Sequence, residues 1–571
     1  MCRRKESCPP APPRSWSGEE ERHRKRDLRP RRRQRKVTAV KSPVRHLLWL
    51  VLLLRPLPAH TASPQMGSNE VAQVIAQALT RANFFVTNGT APNAIIAVVD
   101  REGFVLGVRS ASPTPASLDV IDAITKAGTA SFLSSDQHAF SSRTAGFIVQ
   151  QHFPPGIRNR PTGPLVGVNF SNLSFSDVNR FKDPGTFDPL AFGGGGTNGA
   201  PVTPLGLSAI SGLAGSPGGA PLYVGGRLVG GVGAVLTGKP PIPALADIQT
   251  SAAQKYDVDE DVAMAGQIGF QPAAKFFGSR VFIDGIRVPY LNSTTKLNTN
   301  ALLPSPGFVV APYEITNSPA VNYPALNLGG VVGEMRAPII DDPLLALGSP
   351  RLTASDVTNI LTLAAKRAAI TRAGIRLPAG QPAQTFIAVV NNPDSPGVAP
   401  TILGTFRTPG ATIFSWDVAV QKARTAVFFS GTNRAYSTRT VGFLAQKFYP
   451  PGIDGKPAGP FFGMQEAFSI IPMGVTNPLN GVVFTLTNPP PTSVNPNVPN
   501  GITIFPGGFP LYRDGQLIGA IGVSGDGIDQ DDLIAAAGTV NFLPPSAIRA
   551  DQFKFRNARL PYAKFPRNPS L

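Results

Sequence analysis

Outside its first sixty residues the chain has no cysteine and only two histidines, His138 and His152. The body of the protein therefore builds no disulfide, no thiolate metal site and no cysteine nucleophile. A catalytic triad of the Ser-His-Asp kind needs a histidine base, and the second half of the chain offers none. Charge is scarce too, at 15% of residues against 42% hydrophobic, which excludes a disordered polyelectrolyte. Glycine (58) and proline (59) are plentiful instead, as in a globular protein with long loops.

The formal charge of +18 is concentrated at one end. Residues 1–60 hold 17 Lys/Arg against 5 Asp/Glu, which leaves +6 for the other 511 residues. That is too little to track phosphates, so nucleic acid is not an expected partner. Within residues 1–65, the basic stretch Arg22–Lys36 precedes His46-Leu-Leu-Trp-Leu-Val-Leu-Leu-Leu54 and then small residues up to Ser63. This is the order of a secretory signal peptide, and its apolar core is too short to span a bilayer. The expectation is a secreted or periplasmic protein with no membrane span in its mature form. A disordered basic tail on a cytoplasmic protein and a nuclear-import patch are the alternatives, and the long basic region and His60 speak for them.

The chain repeats itself. Lys126–Pro164 aligns without a gap on Lys422–Pro460, with 20 of 39 positions identical, among them Arg143/Arg439 and the Pro-Pro-Gly-Ile at 154–157 and 450–453. A second block pairs Pro217-Gly-Gly-Ala-Pro-Leu-Tyr223 with Pro506-Gly-Gly-Phe-Pro-Leu-Tyr512 and runs on into Gly233 and Gly522. A third pairs Asp257–Gly266 with Asp529–Gly538. Three blocks in the same order make this a tandem duplication, with copy 1 over 66–290 and copy 2 over 353–571. Between them lies a Pro/Asn-rich linker, 291–352, read as loop, as is the Gly/Pro-rich insertion Asn169–Ser216.

Each copy reads alike. Helical spacing marks Glu70–Ala82 and Asp356–Ala369, with Ser68 and Ser355 placed to cap. Strands follow at Ala94–Val99 and Phe104–Val108, and at Thr385–Val390 and Thr401–Phe406. Helices are expected at Ile121–Phe132, Arg143–His152, Val418–Phe429 and Arg439–Phe448. A hairpin then turns at Gly225-Gly226 or Asp514-Gly515, and a last helix starts at the acidic run. Strands joined by tight turns predict an α+β fold, an antiparallel sheet flanked by helices.

This order resembles the GlcG/HbpS-like haem-binding domain family, found also at the C-terminus of PduO-type proteins. The residues that carry the resemblance are Ala97-Val-Val-Asp-Arg-Glu-Gly103, Lys422-Ala-Arg-Thr-Ala426, Gly507-Gly-Phe-Pro-Leu511, Gly515–Gly525 and the acidic run with Ala537-Gly538. The resemblance implies haem or iron binding, haem degradation or redox sensing in some members, and homo-oligomers. Activity within the family is uneven, so it settles no enzymatic role.

Haem iron needs an imidazole, thiolate, thioether or phenolate ligand. His138, on a loop after Ser134-Ser-Asp-Gln, is the candidate iron ligand of copy 1; His152 reads as a cation closing a helix. Copy 2 has Arg434 and Phe448 at these positions, leaving Tyr436, Tyr449, Met464 and Met473 as substitutes. The resemblance places Thr129 and Thr425 near the ligand pocket. Arg143 and Arg439 suit a propionate, or an acid of the same domain. The expected partner is haem or another small acidic ligand. The alternative is a structural or small-ligand-binding duplicate that has lost haem. The acidic runs lack the alternation and closing Glu of a calcium loop and read as helix starts.

Overall fold

The computed structural model describes residues 65–85, 93–165 (151 and 162 apart), 213–236, 256–296, 307–375 (321, 322 and 349 apart), 380–467 and 495–564. The leader with its two cysteines, most of the 169–216 insertion and Met473 lie outside the described residues.

The first half runs α1 (Ser68–Ala82), β1 (Ile95–Asp100), β2 (Val105–Ser110), α2 (Ser117–Phe132), α3 (Ser142–Ile148), β3 (Gly219–Val224), β4 (Arg227–Val235), α4 (Val258–Gly266) and a short hairpin, β5 (Phe282–Ile283) and β6 (Ile286–Arg287). Three strands follow: β7 (Phe308–Val309), β8 (Ala325–Leu328) and β9 (Val331–Ala337). The second half repeats the plan with α5 (Ala354–Ile370), β10 (Phe386–Asn391), β11 (Ile402–Arg407), α6 (Phe414–Phe428), α7 (Thr438–Leu444), a one-turn α8 (Met464–Ala467), β12 (Gly508–Arg513), β13 (Gln516–Ser524), α9 (Ile528–Gly538), β14 (Lys554–Phe555) and β15 (Ala558–Arg559). The two sheets are ordered β3-β4-β1-β2-β7 and β12-β13-β10-β11-β9-β8, with antiparallel pairs throughout.

Each sheet is covered on both faces. In β1, Ile95, Ala97 and Val99 cluster with Val120, Ala123 and Ala127 of α2, while Ile96 and Val98 cluster with Val71 and Val74 of α1 and Val262 of α4. This explains the unbroken apolar run Ile95–Val99, since a strand buried on both sides has no polar face to alternate with. The β3–β4 and β12–β13 turns have positive φ at Gly225 (58°), Gly226 (79°), Asp514 (52°) and Gly515 (78°), as a two-residue hairpin turn demands. At the start of β3 and β12 the strand lies directly on a helix backbone. A Cβ on Gly219 would stand 2.2 Å from the Lys126 carbonyl oxygen, and one on Gly508 2.5 Å from that of Lys422.

Several boundaries differ from expectation for identifiable reasons. The first helix of each copy is capped by Gly67 and Thr353, not Ser68 and Ser355. Thr353 forms a capping box: its Oγ1 accepts from the Asp356 amide (3.2 Å), and Asp356 Oδ2 accepts from the Thr353 amide (2.9 Å). Thr353→Ala is expected to lower stability by about 1 kcal/mol, read as a shift of the urea midpoint at constant slope. Helices α3 and α7 end at Ile148 and Leu444, well before Pro-Pro-Gly. The chain folds back there, and the amides of Gly163 and Leu165 donate to Gln150 and Ile148, as those of Gly459 and Phe461 donate to Gln446 and Leu444. These bonds take carbonyls that a longer helix would have used.

The linker is not all loop. β7 pairs with β2, β9 pairs with β11 and β8 with β9, so the stretch adds one strand to the first sheet and two to the second. Gly329-Gly330, both at positive φ, turn β8 into β9. A fourth repeated block also emerges: the hairpins β5–β6 and β14–β15 each lead into Pro-Tyr, at 289–290 and 561–562. The Tyr290 and Tyr562 carbonyls accept from Ser141 and Ser437 Oγ at 2.7 and 2.5 Å, tying each copy's end to the start of α3 or α7.

Candidate functional site

The repeated motifs converge on one ionic hub in each copy. In copy 1, Lys126 of α2 is buried with its Nζ 2.9 Å from Asp259 Oδ2 and 3.1 Å from Asp122 Oδ2. Burial alone would lower the lysine pKa, but the two carboxylates outweigh it and hold the ammonium charged. In copy 2, Lys422 donates to Asp531 Oδ2 (2.8 Å) and the Val523 carbonyl (2.7 Å). Lys-Ala-x-Thr-Ala, Gly-Gly-x-Pro-Leu and the acidic run are thus three sides of one junction between helix, strand and helix. The buried lysine is the central residue that sequence reasoning passed over; its recurrence in both copies at a helix position was the available signal.

The acids at the helix starts do more than meet free amides. Asp257 caps α4 by accepting from the Glu260 amide (3.2 Å), but Glu260 receives Arg143 Nε and Nη2 at 2.6 and 2.9 Å. Glu260 Oε2 also accepts from the Asn292 and Ser293 amides. In copy 2, Arg439 donates to Asp532 Oδ2 (2.9 Å) and Asp529 Oδ1 (2.6 Å). Both arginines therefore pair with acids of their own copy.

The other candidates are also engaged internally. Thr129 Oγ1 donates to the Thr125 carbonyl and accepts from the Ala214 amide, both at 2.8 Å. Thr425 does the same with the Gln421 carbonyl (2.7 Å) and the Thr503 amide (3.0 Å). His138 is buried, with Nε2 2.9 Å from the Leu133 carbonyl and Nδ1 2.8 Å from Ser135 Oγ. The carbonyl requires a proton on Nε2. In copy 2, Arg434 Nε donates to the equivalent carbonyl, that of Phe429. The same bond made by a different side chain shows what His138 does in the fold: it closes the loop after α2. Tyr436 is half-buried with its amide on Ser430 Oγ, Tyr449 donates to the Phe555 carbonyl (3.2 Å), and Met464 opens α8.

His152 was read as closing a helix, and this is corrected: α3 ends four residues earlier. Its Nε2 lies 3.2 Å from Asp454 Oδ1 of copy 2. Asp454 also accepts from the Asn159 amide (3.1 Å) and donates its own to Asn159 Oδ1 (3.0 Å). The two Pro-Pro-Gly loops therefore meet, and beside them opens a cleft of about 490 Å³ lined by both copies.

A further buried acid, Asp100, lies at the β1–β2 turn. Burial and the nearby charge of Glu102 push the Asp100 carboxyl up to about 8, against the pull of the Phe104, Glu102 and Gly103 amides that donate to it. A carboxyl whose folded pKa exceeds its unfolded 3.8 favours folding while protonated, and that contribution is lost as pH rises toward about 8. Copy 2 has Asn391 at the matching position, opposite Gly519 as Asp100 is opposite Gly230. Asp100→Asn should flatten the fall in melting temperature between about pH 5 and about pH 8, leaving the variant at least as stable at the upper end. An unchanged slope would show that Asp100 does not titrate there.

Among the described residues no helix is long and apolar enough to cross a membrane, and no group of three or more His, Cys, Asp or Glu is placed to hold a metal ion. The fold and its ionic hubs define a duplicated, helix-flanked antiparallel α+β protein. Residues 382–539, within copy 2, match the family described as "Haem degrading protein HbpS-like". No curated protein matches the chain. Similar solved structures include a PduOC:haem complex (22% identity, 34% of this chain and 98% of that one, TM-score 0.22). Others are the Klebsiella pneumoniae protein ORFY (21%, 34% and 90%, TM-score 0.21) and a double mutant of Streptomyces reticuli HbpS (21%, 36% and 96%, TM-score 0.20).

Proposed function

We propose that this chain is an exported haem-binding protein whose two copies serve as a ligand-binding scaffold. The family match over copy 2 carries the reading, and export rests on the order of charge, apolar core and small residues in the leader. Haem binding draws on the chain's few suitable ligands. Of the two histidines in the body of the protein, His138 closes a loop, whereas His152 lines a cleft. Haem would supply redox-active iron; the protein's own residues would bind its ring and carboxylates and limit access of water. The first half is the diverged copy of the same domain. The internal engagement of Thr129, Thr425, Arg143 and Arg439 supports a second reading, a duplicate kept for its fold and binding a different small acid.

Titrating the full chain with hemin separates the two. A Soret band that saturates at one haem per chain is the expected result; unsaturable absorption alone would favour the second reading.

A further inference from the structure

The cleft beside the Asn159–Asp454 contact has a defined chemistry. Its volume of about 490 Å³ falls within the roughly 300–1,000 Å³ typical of small-molecule sites. Copy 2 supplies an aromatic wall that includes Phe443, Phe448 and Phe461. Its cations are Arg160 from copy 1 and Arg439 and Lys447 from copy 2, and the one carboxylate among its lining residues is Asp454. Desolvation pushes the Asp454 carboxyl up, but the Asn159 amide and His152, with the charges of His152 and Arg158, together outweigh it and hold it below the ordinary carboxylate range. Arg439 is matched by Asp529 and Asp532, whereas Arg160 is exposed and makes no ion pair among the described residues. The balance of the lining is apolar and cationic, with one imidazole.

We propose that this cleft is a composite site for one flat, apolar carboxylate per chain, formed only where copy 1 meets copy 2. The Phe443, Phe448 and Phe461 rings would pack against the ligand, and Arg160 and Lys447 would meet its carboxylates. His152 is the imidazole in the cleft, and it would reach iron only by giving up its contact with Asp454. The role of His152 rests on the haem reading above; the aromatic and cationic walls suit an iron-free ligand of the same class equally well. The asymmetry of the copies fits this arrangement, since copy 1 brings the imidazole and Arg160 while copy 2 brings the aromatic wall.

The test uses the full chain with two probes, hemin and metal-free protoporphyrin IX, which shares the ring and propionates without the iron. Ala445 lines the cleft, so Ala445→Trp should fill it; Arg160→Glu with Lys447→Glu should reverse its charge at the surface. Each change should weaken both probes at least about tenfold while melting temperatures stay near that of the parent. His152→Ala should move the hemin Soret band.

Affinities unmoved by Ala445→Trp and by the double charge reversal would overturn the cleft while leaving haem binding intact, as would two probe molecules bound per chain. Protoporphyrin binding that responds to these variants, with only unsaturable hemin absorption, would keep the cleft and remove the haem reading. Failure of both probes to bind the parent protein overturns both.

Discussion

Arg336→Met is expected to destabilise the protein by about 3 kcal/mol, because it strands a carboxylate where the two copies join. Arg336 stands on β9, in the linker, and is almost completely buried under the ring of Tyr323, whose centroid is 3.6 Å from the guanidinium carbon. Its Nη1 and Nη2 donate to Glu102 Oε2 and Oε1 at 2.7 and 3.0 Å, and its Nε to Glu334 Oε2 at 2.9 Å. Arg407 also reaches Glu334, at 3.0 Å, so Glu334 keeps a partner in the variant and Glu102 loses its own. Adding Glu102→Gln to Arg336→Met should recover about half of the loss, as expected when the cost lies in the uncompensated charge. A single-variant loss under about 1 kcal/mol in urea unfolding would mean that the network contributes little.

The same network sets an acid limit. Burial pushes the Glu102 and Glu334 carboxyls up, but the charges and hydrogen bonds of the arginines outweigh it and hold both below the ordinary 4.5. A carboxyl lowered in the folded state adds stability above its unfolded value and loses it as pH falls through the folded one. The gap between parent and Arg336→Met should therefore be widest near neutrality and narrow below about pH 4.

The elements that were legible in the sequence share a local cause. Strand β1 announced itself as an apolar run, α1 and α5 by helical spacing, and the β3–β4 turns by residues that tolerate positive φ. Each signal sits within about ten residues and needs no knowledge of the partner. The hairpin β8–β9 carried its Gly329-Gly330 turn in plain view, but prolines and asparagines on either side diluted it. What could not be read was pairing across long separations. Glu260 reaches Arg143 over 117 residues and Arg336 reaches Glu102 over 234, and in both cases sequence shows a charge without its neighbour. For the same reason His138 looked like the available imidazole: only the fold shows that Leu133 and Ser135 hold both of its nitrogens. The cleft depends on how two copies meet, which neither copy's sequence records.

Arg143→Ala and Arg439→Ala, equivalent substitutions in the two copies, should have unequal effects, and the inequality separates an arginine buried inside copy 1 from one at the wall of the cleft. Arg143 and Glu260 are both buried, with a two-pronged contact, and the Asn292 and Ser293 amides fix the carboxylate further. Removing the guanidinium leaves Glu260 charged in the interior, at a cost of about 3–5 kcal/mol. Arg439 shares its charge between a buried Asp532 and an Asp529 whose side chain is 42% exposed, and Lys564 stands 3.0 Å from Asp529 to take over part of the role. Water and that lysine compensate Asp529, while the buried Asp532 keeps the Lys564 amide, so the loss should be smaller than for Arg143, about 2–3 kcal/mol. Binding should reverse the order. Arg439 lines the cleft and Arg143 does not, so protoporphyrin affinity measured well below the melting temperature should fall in Arg439→Ala and hold in Arg143→Ala. Equal losses of stability, or a loss of affinity confined to Arg143→Ala, would show that the buried pair in copy 1 had been assigned the wrong task.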